Sequence, residues 1–80
     1  MQENFTIDDL KITQRDIDMP RFGAASVIQV GNYLGISPAG VRRLAETDPT
    51  FPKPKKLLRS IRWNAEAVIA WFEAQEEVTP

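Results

Sequence analysis

The sequence predicts a mainly α domain that carries one small β-hairpin. Three observations predict it. Two short helical segments, each with its own cap, meet across a glycine-containing break. A proline-rich segment leads into two strand-like runs around a basic turn. A third amphipathic helix then follows.

The first 25 residues read as a weakly structured acidic arm. Thr6-Ile7-Asp8-Asp9 could cap a short helix, because a Thr hydroxyl can accept from the N3 amide. The apolar residues Ile7, Leu10, Ile12, Ile17 and Met19 keep neither the helical nor the strand period for long. A single helical turn or a short strand is compatible with this pattern, and Pro20 ends it.

From Ser26 the local signals agree. Ser26-Val27-Ile28-Gln29 matches a capping box, with Gln29 able to reach back to the Ser26 amide. A helix over 27–34 then places Val27, Val30, Gly31 and Leu34 on one face. Gly35 supplies the left-handed conformation of a sharp helix exit, and Ile36 can fold back over the core. Ser37 caps a second helix with Pro38 at its first position, where a missing amide costs nothing. That helix runs to Thr47 and is closed by Asp48-Pro49. Gly31 is the sharper clue, since a small inward residue lets two helices cross closely. A generic helical hairpin is the alternative to a helix-turn-helix here.

Pro49, Pro52 and Pro54 enforce an extended path. Lys55 to Leu58 and Ile61 to Trp63 read as strands around Arg59-Ser60, with Leu57 and Ile61 pointing inward. Asn64 caps a last helix over 65–76, and Glu66 suits its positive end. Ala65, Val68, Trp71 and Phe72 form its inner face, with Glu66, Glu73 and Glu77 opposite. Residues 78–80 are a tail. The domain is therefore expected over 26–77, as a winged helix-turn-helix.

Composition removes whole classes of chemistry. The 80 residues make one domain at most, and so short a chain buries only about 60% of its unfolded surface. There is no Cys and no His, which excludes disulfides, Cys nucleophiles, imidazole acid–base chemistry and ordinary zinc sites. No cofactor or small-molecule substrate is expected, and the chain is not read as an enzyme. No run approaches the roughly 18 apolar residues of a membrane span, and the N-terminus lacks a secretory layout. A cytoplasmic protein without a membrane role is the expectation. Two Trp, four Phe and one Tyr suffice for a small core.

The net charge of −1 hides three blocks. Residues 1–20 sum to −3, residues 21–63 to +6 and residues 64–80 to −4. A basic stretch between acidic ones suits a chain with one face toward phosphate, although an unevenly charged solvated surface would look the same.

On the second helix, Val41, Leu44 and Ala45 point inward, which leaves Ala39 and Arg43 at the centre of the outer face. An outward Arg there suits the major groove, because its planar fork can bond O6 and N7 of guanine together. Arg42, on the flank, suits a phosphate. Ser37, Ala39 and Gly40 keep the helix N-terminus small, where amides and dipole favour phosphate. Lys53, Lys55, Lys56, Arg59 and Arg62 add a cationic hairpin able to reach backbone or minor groove. The predicted partner is double-stranded DNA. Arg42 and Arg43 as ordinary surface residues is the plainer alternative. Trp63, Trp71 and Phe72 read as core in preference to base-stacking platforms. The acidic stripe of the last helix should lie away from DNA.

Residues 26–75 resemble the AlpA-type phage and mobile-element regulators and the related excisionases, relatives of the MerR-like winged helix-turn-helix group. The resemblance rests on Val30-Gly31-Asn32-Tyr33-Leu34-Gly35-Ile36-Ser37 with Val41-Arg42-Arg43-Leu44. It extends through Phe51-Pro52-Lys53-Pro54-Lys55, Arg62-Trp63-Asn64 and Val68-Ile69-Ala70-Trp71. It implies an architectural DNA-binding protein acting as a recombination directionality factor, a transcription regulator, or both. It further implies a tyrosine recombinase (integrase) as partner, neighbouring copies on the DNA, and a nucleoid-associated location in a bacterial or phage-infected cell. The chain departs from the pattern at Pro38-Ala39-Gly40, so base preference does not carry over. The competing function is a protein-binding module, in which the acidic arm and tail engage an integrase or repressor and DNA contact is secondary.

Overall fold

A computed structural model describes residues 14–78, with side chains from residue 16 onward. The cap expected at Thr6-Ile7-Asp8-Asp9 lies outside the described residues, as do Thr79 and Pro80. The elements are α1 (Gln14–Ile17), β1 (Ala24–Ala25), α2 (Val27–Leu34), α3 (Pro38–Thr47), β2 (Lys55–Leu57), β3 (Ser60–Asn64) and α4 (Ala65–Glu73). They form a small domain of helices and one three-stranded antiparallel sheet of order β1-β3-β2.

The helix starts form as their caps dictate. The Ser26 hydroxyl accepts from the Gln29 amide at 3.1 Å, and the Gln29 side chain accepts from the Ser26 amide at 2.9 Å, a reciprocal box. Ser37 Oγ accepts from the Gly40 amide at 3.1 Å and Asn64 Oδ1 from the Ala67 amide at 2.8 Å. Gly35 ends α2 at φ 75°, and the Gly35 and Ile36 amides both return to the Gly31 carbonyl, at 2.8 and 3.0 Å. The α2–α3 turn is thereby tied back onto the residue over which the two helices cross.

Ala25, Val30, Val41, Phe51, Trp63, Ala65 and Val68 are buried together. The indoles also fix the segment between α3 and β2. Trp63 Nε1 donates to the Pro52 carbonyl at 3.1 Å, and Trp71 Nε1 to Thr50 Oγ1 at 3.0 Å. Phe51 meets Trp71 edge to face at 4.9 Å between centroids. Asp48, which caps α3, accepts from both the amide and the hydroxyl of Thr50. These bonds, the Thr50 hydroxyl first, hold its carboxyl below the usual carboxylate range.

Several expectations are corrected. The sheet has a third strand: Ala24 pairs with Asn64 and Ala25 with Trp63. The last stretch of the arm therefore belongs to the sheet, and α1 lies against α2, with the Asp18 carbonyl receiving Gln29 Nε2 at 3.1 Å. The hairpin turn falls at Leu58-Arg59, one residue earlier than Arg59-Ser60, because Leu57 pairs with Ser60. Leu57 is 54% exposed and Ile61 37% exposed, so neither is core; Trp63 fills the inward place. The last helix stops at Glu73, short of residue 76, with Ala74 as its cap. Phe72 is 48% exposed and packs only at the rim, edge to face with Tyr33 at 5.7 Å. Ile36 stays 39% exposed and lies over Gly40, outside the buried cluster.

Candidate nucleic-acid interface

The α3 helix carries its expected faces. Val41 is buried, Leu44 and Ala45 are half-buried, and Ala39, Arg42 and Arg43 are exposed. Among the described residues no acidic side chain engages Arg42 or Arg43. At the helix start, the Gly40 and Val41 amides already serve Ser37, through its hydroxyl and its carbonyl. Pro38 has no amide. That leaves the Ala39 amide, with the helix dipole, as what the first turn offers an anion.

The hairpin sorts its cations by register. Lys55 lies opposite Arg62, Lys56 opposite Ile61 and Leu57 opposite Ser60. Residues directly across an antiparallel pair share a face, and faces alternate along a strand. Lys55, Leu57, Ser60, Arg62 and Asn64 thus share the outer face of the sheet with Ala24. Lys56 and Ile61 share the face of Trp63, which looks toward the helices. Lys55, Leu57, Arg62 and Asn64 line a shallow hollow of about 150 Å³ with Gly23 and Ala24. Two like charges set directly across a strand pair destabilise it, and Arg62 is softened only by donating to the Ile61 carbonyl at 2.9 Å.

Lys53 is placed apart from the rest. Its ammonium donates to the Ala45 carbonyl in the last turn of α3, where a cation meets both an unsatisfied carbonyl and the negative end of the helix dipole. The link holds the base of the hairpin segment to α3. Arg59 sits in the turn itself and is exposed. Nine of the ten predicted residues therefore fall into three groups: α3 with its N-terminus, the outer sheet face with the turn, and a structural tie at Lys53. Lys56 stands alone on the opposite hairpin face.

Sequence reasoning missed two apolar features. Leu58, at the first turn position, is 94% exposed; its signal was an unexplained Leu-Leu pair beside a basic turn. A groove of about 180 Å³ also opens between α3 and α4, lined by Leu34, Ile36, Leu44, Trp71, Phe72 and Gln75. The acidic stripe of α4 lies on a different side of that helix, where Glu66 and Glu73 border a hollow with Arg21 and Phe22.

Among the described residues no group of acidic side chains could hold a metal ion, and no helix is long and apolar enough to cross a membrane. Comparison with family models, with curated proteins and with solved structures returns no significant match for this chain.

Proposed function

We propose that the chain is a sequence-specific, non-catalytic DNA-binding protein of the winged helix-turn-helix type. In this reading α2 and α3 are the helix-turn-helix, α3 enters the major groove, and the β2–β3 hairpin is the wing. The observation that carries it is the close α2–α3 crossing at Gly31 combined with exposed, unpaired Arg42 and Arg43 on the far side of α3. A helix braced from behind while it offers two cations outward is what groove recognition requires. The resemblance to AlpA-type regulators and excisionases extends the reading. The protein would act in the cytoplasm as an architectural factor of a mobile element, biasing a tyrosine recombinase toward excision, controlling transcription, or both.

The test is a gel-shift titration on the DNA flanking the gene, with and without competitor. Specific binding should exceed binding to random duplex by at least about 10³-fold. Equal binding to both would remove the sequence-specific reading. The apolar groove between α3 and α4 favours a second, compatible role in contacting a protein such as the recombinase, because Ile36 and Phe72 leave apolar surface there.

A further inference from the structure

The hairpin tip has two properties that folding alone does not call for. Leu58 is 94% exposed, and its backbone stands at φ 55°. It is the one non-glycine among the described residues with positive φ. A bulky L side chain is strained there, and Gly or Asn is the ordinary occupant of such a position. Either would relieve the backbone and remove an apolar side chain from water. Strain and exposure at one residue point outward, to something the tip meets.

The charges around Leu58 indicate what that is. Arg59 follows it directly, Lys56 stands two residues before it, and Lys55 and Arg62 oppose one another on the outer face. Among the described residues no acidic side chain engages Lys55, Lys56 or Arg59. The arrangement is an apolar tip, Leu58 with the exposed Leu57 behind it, flanked by cations. Its complement is an apolar interior reached between two lines of negative charge, which is the minor groove of duplex DNA. That groove is about 6 Å wide, enough for one side chain carried on a two-residue turn. The flanking cations then lie near the phosphates of both strands. An acidic protein surface would match the cations but would not require an apolar side chain projecting from a strained turn.

We propose that Leu58 is an apolar wedge that enters the minor groove, partly unstacks a base step and kinks the duplex. The inference rests on the DNA-binding reading above and adds to it the residue that deforms the DNA. The experiment measures binding by fluorescence anisotropy and bending by energy transfer between end labels. The probes are duplexes of about 30 base pairs tiling the DNA that flanks the gene, each including flexible TA or CA steps. Wild type, Leu58→Asn and Leu58→Gly are compared, with melting temperatures to establish that each is folded.

Both variants should melt at or above the wild-type temperature, since the turn is relieved. Both should lose most of the bend and bind about 10-fold more weakly, as expected for withdrawing part of a Leu side chain from contact. The salt slope should stay unchanged, because every cation remains. A wild type that binds without bending overturns the wedge. So do variants that bind and bend like wild type, a result that would assign the tip to a protein partner and leave the DNA reading standing. A wild type that binds none of the duplexes overturns the DNA-binding reading, and the wedge with it.

Discussion

Gly31 and Gly40 both lie against the same residue, Ile36, yet they should respond oppositely to an added methyl group. A Cβ at Gly31 would lie 2.7 Å from the Ile36 carbonyl oxygen, a separation that real Cβ atoms essentially never show. The oxygen belongs to the backbone of a turn held by Gly35 in the left-handed region and by two amides bonded to the Gly31 carbonyl. It cannot retreat by several tenths of an ångström without loosening those bonds. Overpacking of this kind costs about 1–3 kcal/mol, and a weakened hydrogen bond adds about 1 kcal/mol. The better helix propensity of Ala returns about 1 kcal/mol, so Gly31→Ala should destabilise by roughly 1–3 kcal/mol. At Gly40 the new Cβ meets only the Ile36 side chain, at 3.4 Å. Gly40→Ala should therefore stabilise by about 0.5–1 kcal/mol. For a domain of this size 1 kcal/mol moves the melting point by about 4–8 °C, so the two variants should melt roughly 6–30 °C apart. Circular dichroism melts of the three proteins measure it. A Gly31→Ala variant as stable as wild type would refute the reasoning, because the turn would then be free to move and the crossing would not depend on glycine. Gly31→Leu, which adds far more bulk, should lose both the folded signal and DNA binding.

Four further expectations follow from the interface and its supports. Arg43→Ala should weaken binding to the preferred DNA site by about 1–3 kcal/mol and binding to random duplex much less; equal losses would make Arg43 a phosphate contact. In salt titrations, replacing both Lys56 and Arg59 by Ala should flatten the slope of log affinity against log salt by roughly one to two units while sparing sequence preference. Because Lys55 and Lys56 face opposite ways, single Ala variants of the two should differ, one reducing the slope by about 0.9 and the other leaving it. The Asp48 carboxyl has its pKa lowered in the fold by its Thr50 bonds, so its contribution is fully present above the unfolded carboxylate pKa and is lost as pH falls through the folded one. Asp48→Asn keeps an acceptor but cannot titrate, so its melting temperature should fall less steeply than that of wild type in that acid window. Identical acid limbs would show that the Thr50 bonds do not favour the charged form.

The helices were legible because their signals are local. Ser26 with Gln29, Ser37 with Pro38, and Asn64 each satisfy amides within three residues, so no tertiary information is needed to place α2, α3 and α4. The outward Arg42 and Arg43 follow from helical period alone. The sheet was less legible for the opposite reason. Ala24 and Ala25 carry no strand preference, and they pair because β3 offers them a free edge. The turn was placed one residue late because it puts a Leu at positive φ, a choice that turn chemistry disfavours. The one-residue shift of the turn leaves the faces unchanged, since Leu57 stays on the side of Arg62 in either register; Leu57 and Ile61 lie on opposite faces of the hairpin, so the two could not both point inward. Phe72 looked like core by spacing, but α4 ends one residue later and nothing beyond it closes over the ring.

The order of the sheet has a consequence for self-association. With β3 in the middle, the two open edges are β1 and β2. One is two residues long, too short to template another chain. The other begins after Pro54, places two lysines in its three residues, and ends at a turn. Short length, lysine and a neighbouring proline are the devices by which exposed strands resist recruiting partners. Copies of this protein brought side by side at high local concentration are thus guarded against zipping into a continuous sheet, and any ordered contact between them must be made through side chains.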